Sequence, residues 1–196
     1  MGKIFIIMGK SATGKDTIYK KLLEAKELEL RTAVMYTTRP IRKSEENGVE
    51  YYFVGEDTLM ELQKQKKIIE HRSYNTVHGT WHYFTVNDGQ INLMESDYLM
   101  IGTLETYQQI REYYGNEKVI PIYLEVEDGI RLMRAFKREQ KQEFPKYAEM
   151  CRRYLADEED FSEENIKKYG ITTRYQNADV NICLYSIIED IKNRKV

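Results

Sequence analysis

Apolar residues along this chain fall in short dense runs set apart by long polar stretches. The first run, Ile4-Phe5-Ile6-Ile7-Met8, is unbroken, the pattern of a strand covered on both faces. From Thr17 the period changes. Ile18, Leu22, Leu23 and Ala25 share one side of a helix predicted over residues 17–30, with lysines and glutamates elsewhere. Three more apolar runs, at 98–101, 119–124 and 180–184, predict buried strands. Helices are predicted over 58–67, capped by Asp57 with Leu59 and Leu62 inward, and from Thr103 to Tyr114, stopped by Gly115-Asn116. Asp128 caps another over 129–144, which Pro145 interrupts; 147–154 and 187–191 are helical too. Residues 31–36, 50–54 and 68–71 have strand character, while Pro40 and Asn47-Gly48 mark loop and turn. The acidic block Asp157-Glu158-Glu159-Asp160 and Glu163-Glu164 reads as solvated helix ends and turn.

Strands alternating with helices give an α/β fold, a parallel sheet flanked by helices that takes ligands at the carboxyl ends of its strands. The stretch 34–87 breaks that alternation and reads as an inserted β-rich piece. A second, helical piece covers 135–165. Residues 1–33, 88–134 and 166–196 are left as the core of a single domain, which a length of 196 residues supports. A net charge of −2 gives no basic footprint for nucleic acid or an anionic membrane. No apolar run approaches the roughly 20 residues of a membrane span. Cys151 and Cys183 lack motif spacing and read as reduced thiols, so the expectation is a cytoplasmic protein. A monomer or a homodimer is the expected state.

Chemistry enters between the first strand and the first helix. Gly9-Lys10-Ser11-Ala12-Thr13-Gly14-Lys15 has the spacing and flanks of a phosphate-binding loop. Its glycines let the backbone turn, its amides and the helix N-terminus favour an anion, and Lys15 adds a mobile positive charge. A hydroxyl ligand for magnesium is usual directly after the lysine. Asp16 stands there instead, with Thr17 next, and either residue is a candidate Mg²⁺ ligand. Arg39 and Arg42 lie three apart on an irregular loop and suit an oxyanion, since guanidinium presents a planar fork. Glu70 follows two β-branched residues and, if enclosed, offers a carboxylate to an amide–amine edge such as that of guanine; an exposed strand-end glutamate is the plainer reading.

These stretches, followed by Tyr36-Thr37-Thr38-Arg39-Pro40-Ile41-Arg42, Glu45-Glu46-Asn47-Gly48-Val49-Glu50-Tyr51-Tyr52-Phe53-Val54, Ile68-Ile69-Glu70-His71 and His78-Gly79-Thr80, resemble the guanylate kinases in order and spacing over roughly the first 80 residues. The second half resembles them mainly through Arg134, Arg138 and Arg152-Arg153. The resemblance implies a P-loop core with an NMP-binding insertion and a lid, acting on small-molecule nucleotides. ATP would be the phosphoryl donor and Mg²⁺ the metal. Gly9, Lys10, Ser11, Ala12, Thr13, Gly14, Lys15, Asp16, Thr17 and Arg134 would hold ATP. Arg39, Arg42 and Tyr51 would hold the acceptor phosphate with Glu45 supporting the loop, and Glu70 and Thr80 would read the base. Lys15, Arg39, Arg138 and Arg153 would act on the transferring phosphoryl group.

Departures cluster on the acceptor side. Met35 and His78 replace a serine and a phosphate-binding tyrosine of the family pattern. The family's acidic pair after the 98–101 strand is absent, leaving Thr103 or Glu105 to stand in. GMP or dGMP is the acceptor the resemblance implies. A related kinase of ribose 1,5-bisphosphate, a non-catalytic binding module and a hydrolysing NTPase are the alternatives. The intact Gly14-Lys15 argues against the module, and no strand ending in an NTPase-type aspartate favours the hydrolase.

Overall fold

The computed structural model describes residues 1–76 and 79–195. The chain opens with β1 (Ile4–Met8), every side chain of which is fully buried. The loop of residues 9–14 then leads into α1 (Lys15–Glu24). That helix stops six residues before the sequence pattern suggested. A 3₁₀ turn at Lys26–Leu28 and Glu29 at φ 48° reverse the chain, so that Leu28 drops into the core and β2 (Leu30–Arg31) joins the sheet. Burying Leu28 on this turn outweighs continuing an amphipathic helix whose next face is charged.

The stretch that breaks the alternation builds a second sheet. β3 (Tyr36–Thr37), β4 (Tyr52–Phe53), α2 (Glu56–Lys64), β5 (Ile68–Thr76) and β6 (Gly79–Val86) follow in turn. The four strands lie in the order β4-β3-β6-β5, and β5 and β6 form a long antiparallel hairpin. Gly55, not Asp57, caps α2, with Asp57 in its first turn. Leu59 packs there on Phe84 and Val86.

The main sheet resumes with β7 (Asp97–Ile101), followed by α3 (Leu104–Tyr114) and β8 (Val119–Glu125). Then come α4 (Asp128–Gln140), α5 (Tyr147–Asp160) and α6 (Glu163–Lys168). Glu127 caps α4 in place of Asp128, accepting from the amides of Gly129 and Ile130 at 2.9 Å. The chain ends with β9 (Arg174–Gln176) and α7 (Val180–Lys195). The run 180–184 is thus the first turns of one helix, not a strand. Cys183, Ile187 and Ile191 repeat every four residues on its buried face, and Asp179 Oδ1 accepts from the amides of Asn181 and Ile182 at its start. The fifth strand is β9, which pairs with β8 and buries only Tyr175.

The main sheet has the order β2-β7-β1-β8-β9, with every pair parallel. Alternation along β1 feeds two cores. Ile4, Ile6 and Met8 pack toward Tyr107 and Ile110 of α3, and Phe5 and Ile7 toward α1 and α7. Full burial of such side chains is worth about 1.5–3 kcal/mol each, so β1 anchors the loop at its carboxyl end.

Candidate active site

Backbone geometry makes the glycines of the loop necessary. Gly9 sits at φ 144°, and a Cβ there would meet the Leu124 carbonyl oxygen at 2.4 Å. Gly14, at φ 90°, caps α1, and its Cβ would meet Asn177 Nδ2 at 2.6 Å. That same amide donates to Thr13 O at 2.6 Å, and the Thr13 hydroxyl donates to Lys10 O at 2.8 Å. The loop is therefore clamped from within and from the segment before α7.

Lys15 Nζ curls back to donate to Gly9 O at 2.6 Å and Lys10 O at 2.9 Å, marking the centre of the loop. Burial pushes its pKa down to about 8 against the pull of Asp157 and Asp16, and the charges of Arg153 and Arg138 lower it further. Arg153 reaches Ser11 Oγ at 3.4 Å, and Arg134 donates to the carbonyls of Asn177 and Ala178. Arg153 of α5 thus reaches the loop, the charge of Arg138 of α4 is felt at Lys15, and Arg134 of α4 is held on the segment before α7. Asp16 and Thr17 lie exposed in the first turn of α1 beside Lys15. Two oxygen donors at that position fit a hard cation that takes its remaining ligands from phosphate and water. Among the described residues no group of three His, Cys, Asp or Glu is placed to hold a metal unaided.

Glu159, Asp160, Glu163 and Glu164 of the acidic block are exposed as expected, but Asp157 and Glu158 turn to the loop. Asp157 Oδ2 accepts the Ser11 amide at 2.8 Å, and Glu158 accepts from Lys10 Nζ at 2.5 Å. Both also face Arg131, whose guanidinium is fully buried, meets Asp128 at 3.1 Å and lies 3.9 Å above the Tyr154 ring. A signal was available. Asp157 lies one helical turn after Arg153, on the same face of α5.

A second cluster occupies the smaller sheet. Arg39 is buried and makes a two-pronged pair with Glu45 at 2.8 and 2.9 Å, donates to Pro40 O, and lies 5.6 Å from the centre of the Tyr51 ring. Arg42 remains exposed, its backbone amide held by Glu45 at 2.9 Å. Glu70 is 1% exposed, so the exposed reading of it falls. Arg72, unremarked in the sequence, grips it at 3.1 and 3.3 Å, and Thr85 stands 3.4 Å away. Burial drives the Glu70 carboxyl upward, opposed by Arg72 and Thr85.

Two expected base contacts lie elsewhere. Thr80 is exposed toward the tip of the hairpin, bonded to Asn75 at 2.9 Å. Asn75 is five residues along β5 from Glu70, roughly 15 Å at strand rise. The length of the hairpin separates them. Thr103 caps α3 by accepting the Thr106 amide at 3.2 Å, so its hydroxyl serves the helix. Glu105, in the first turn of α3, reaches Glu70 with its charge. His78 lies outside the described residues.

Residues 1–163 match the family model described as guanylate kinase. The chain belongs to the guanylate kinase family. It is 29% identical to a guanylate kinase of Porphyromonas gingivalis over 126 residues, 63% of this chain and 65% of that one. With that of Neisseria gonorrhoeae it shares 40% over 100 residues, 51% of this chain and 46% of the other. The chain thus spans less than two thirds of the length of these relatives. A crystal structure of guanylate kinase from Anaplasma phagocytophilum superposes with a TM-score of 0.65 at 22% identity, covering 98% of this chain and 85% of that one. That likeness establishes the fold, the P-loop type of parallel sheet with flanking helices. No helix among the described residues is long and apolar enough to cross a membrane.

Proposed function

We propose that this guanylate kinase family member transfers the γ-phosphoryl group of ATP to GMP or dGMP, giving ADP and GDP or dGDP. The observation that carries the reading is the buried Glu70 carboxylate on the same small sheet as the Arg39–Glu45–Tyr51 clamp. A carboxylate enclosed there suits two donors from a base edge, and the clamp suits that nucleotide's phosphate. In this reading residues 34–87 bind the acceptor, 135–165 form the lid and the remainder is the core.

An acceptor phosphate oxygen attacks the γ-phosphorus while the bond to the β-phosphate oxygen breaks and ADP leaves. The acceptor is already an anion at neutral pH, so no general base is required. Catalysis is positioning and charge neutralisation. Lys15, the loop amides and Arg134 hold ATP; Arg138 and Arg153 neutralise the group in flight; Arg39, Arg42 and Tyr51 hold the acceptor phosphate. Asp16 and Thr17 would hold Mg²⁺, which when bound neutralises phosphate charge.

A second acceptor class is favoured by one observation: Thr80 and Thr103 do not converge on Glu70. Ribose 1,5-bisphosphate belongs in the same assay. ADP release with ATP and Mg²⁺ is followed against GMP, dGMP, AMP, CMP, UMP and the bisphosphate. The expected result is turnover with GMP or dGMP, and a Glu70→Gln change that raises the KM for GMP about tenfold or more while leaving that for ATP within about twofold. Turnover confined to the bisphosphate, or equal weakening of both substrates, would overturn the reading.

A further inference from the structure

We infer that Arg72 is a positioning residue of the acceptor site, which holds the Glu70 carboxylate ionised and aimed so that it accepts from an amide–amine base edge. The inference rests on the guanine-reading role given to Glu70 above.

Geometry builds the pair. A register irregularity between Ile68 and Glu70 turns Glu70 toward the interior. Arg72 follows two residues later, on the same face of β5. Its Nε donates to Oε2 at 3.1 Å and its Nη2 to Oε1 at 3.3 Å, a side-on fork that fixes the plane of the carboxylate. Arg72 is itself only 9% exposed, with Nη2 3.9 Å from Met35 Sδ and Tyr83 opposite it on β6. Oε2 has one donor and one open lone pair; on Oε1 the long 3.4 Å contact from Thr85 yields to a better donor by rotation of the hydroxyl. The Glu70 side chain has no exposed surface, so a base edge with two adjacent N–H donors takes those two positions once the groups enclosing it open.

Without its partner a carboxylate this enclosed would take up a proton, and a protonated Glu70 no longer accepts two hydrogen bonds. The groups facing it divide by element. On β5 stand Arg72 and, beyond it, Tyr74, which bears on the guanidinium; on β6 stand Thr85 and Tyr83. From α3 comes Glu105, whose negative charge opposes ionisation. Tyr51 and Arg39 lie beyond Arg72 toward the phosphate clamp. His71 points to the opposite face, its ring 2.8 Å from His82 and its backbone amide held by Gln109 of α3. Arg72 is thus the nearest cation acting on Glu70, and Arg39 serves Glu45.

The test is the KM for GMP from pH 5.5 to 9 at saturating ATP, for the parent protein and for Arg72→Met, Arg72→Gln, Arg72→Lys and Glu70→Gln. GMP's own phosphate and His71, whose pKa burial lowers, titrate in every variant, so the comparison is between variants. Arg72→Met and Arg72→Gln should move the acid limb of GMP binding up by about one pH unit or more, raising KM about tenfold at pH values below the parental limb and returning it to the parental value above the variant's own limb. Arg72→Lys should keep the limb near its original position, and Glu70→Gln should remove the difference. Loss that is equal at every pH in both uncharged variants would overturn the inference, leaving Arg72 a packing residue. A parental KM in Glu70→Gln would instead remove the acceptor reading on which it rests. Arg72→Gln covers the case in which Arg72→Met does not fold.

Discussion

Lys15 is held in an environment that resists its own charge. Its ammonium donates to two loop carbonyls yet titrates near pH 8, because burial outweighs the nearby Asp157 and Asp16. The folded protein therefore binds this proton less tightly than the unfolded chain does. The charged lysine destabilises the fold at neutral pH, and that penalty fades as pH rises from about 8 toward the ordinary lysine value of 10.5. A triphosphate supplies the missing counter-charge, so binding should favour the protonated form. ATP affinity should stay level between pH 6 and 7.5 and then fall as pH rises through about 8, with proton uptake on binding above that pH. Calorimetry in two buffers of different ionisation enthalpy measures both. A Lys15→Arg variant, which does not titrate there, should show a flat profile, and Lys15→Ala should lose roughly 10²–10³ in kcat with the fold kept. A wild-type profile without a step near pH 8 would mean that Lys15 is not the group meeting the phosphates.

At the scale of elements, α5 does more than carry arginines over the loop. Asp157 rests on the Ser11 amide, one of the donors a phosphate oxygen would use, and Glu158 ties Lys10 to the same helix. An incoming triphosphate must displace that carboxylate. Asp157→Asn should therefore tighten ATP binding about fivefold, the worth of one ordinary hydrogen bond, as read from the ATP Kd at pH 7. Weaker binding would show instead that Asp157 aids the donor by holding α5 in place. This arrangement also shows what sequence discloses. β1, the loop glycines and the start of α1 were legible because strand, turn and helix cap are local, each set by residues a few positions apart. The pairing of Arg131 with Asp157 and Glu158 joins α4 to α5 across a break, and no local pattern announces it. β9 escaped because three residues with one buried side chain carry no period. The run at 180–184 misled because five residues rich in apolar side chains suit a strand and a helix equally, and only the later Ile187 and Ile191 decide. Arg72 looked like any strand cation until the fold placed it on Glu70.

Across the whole molecule, the groups proposed for donor and for acceptor sit on separate sheets. The loop hangs on the main sheet through β1, while Arg39, Glu70 and Arg72 belong to the smaller sheet and its loops, with a hydrophobic cluster of its own. Ligands that bind the folded state raise its stability by mass action, about 2.7 kcal/mol at a hundred times Kd. For a domain of this size that is a rise in Tm of roughly 5–10 °C. Mg·ATP and GMP should each produce such a shift alone, and each should be removable without the other. Lys15→Ala should abolish the ATP shift and keep that of GMP; Arg39→Ala should do the reverse, since its guanidinium is paired with Glu45 and packed against Tyr51 and Phe53, all on the smaller sheet or its loops. Differential scanning calorimetry on the two variants reads this directly. Loss of both shifts from either single change would mean that the two sheets bind as one body, with neither half-site formed before the other is filled.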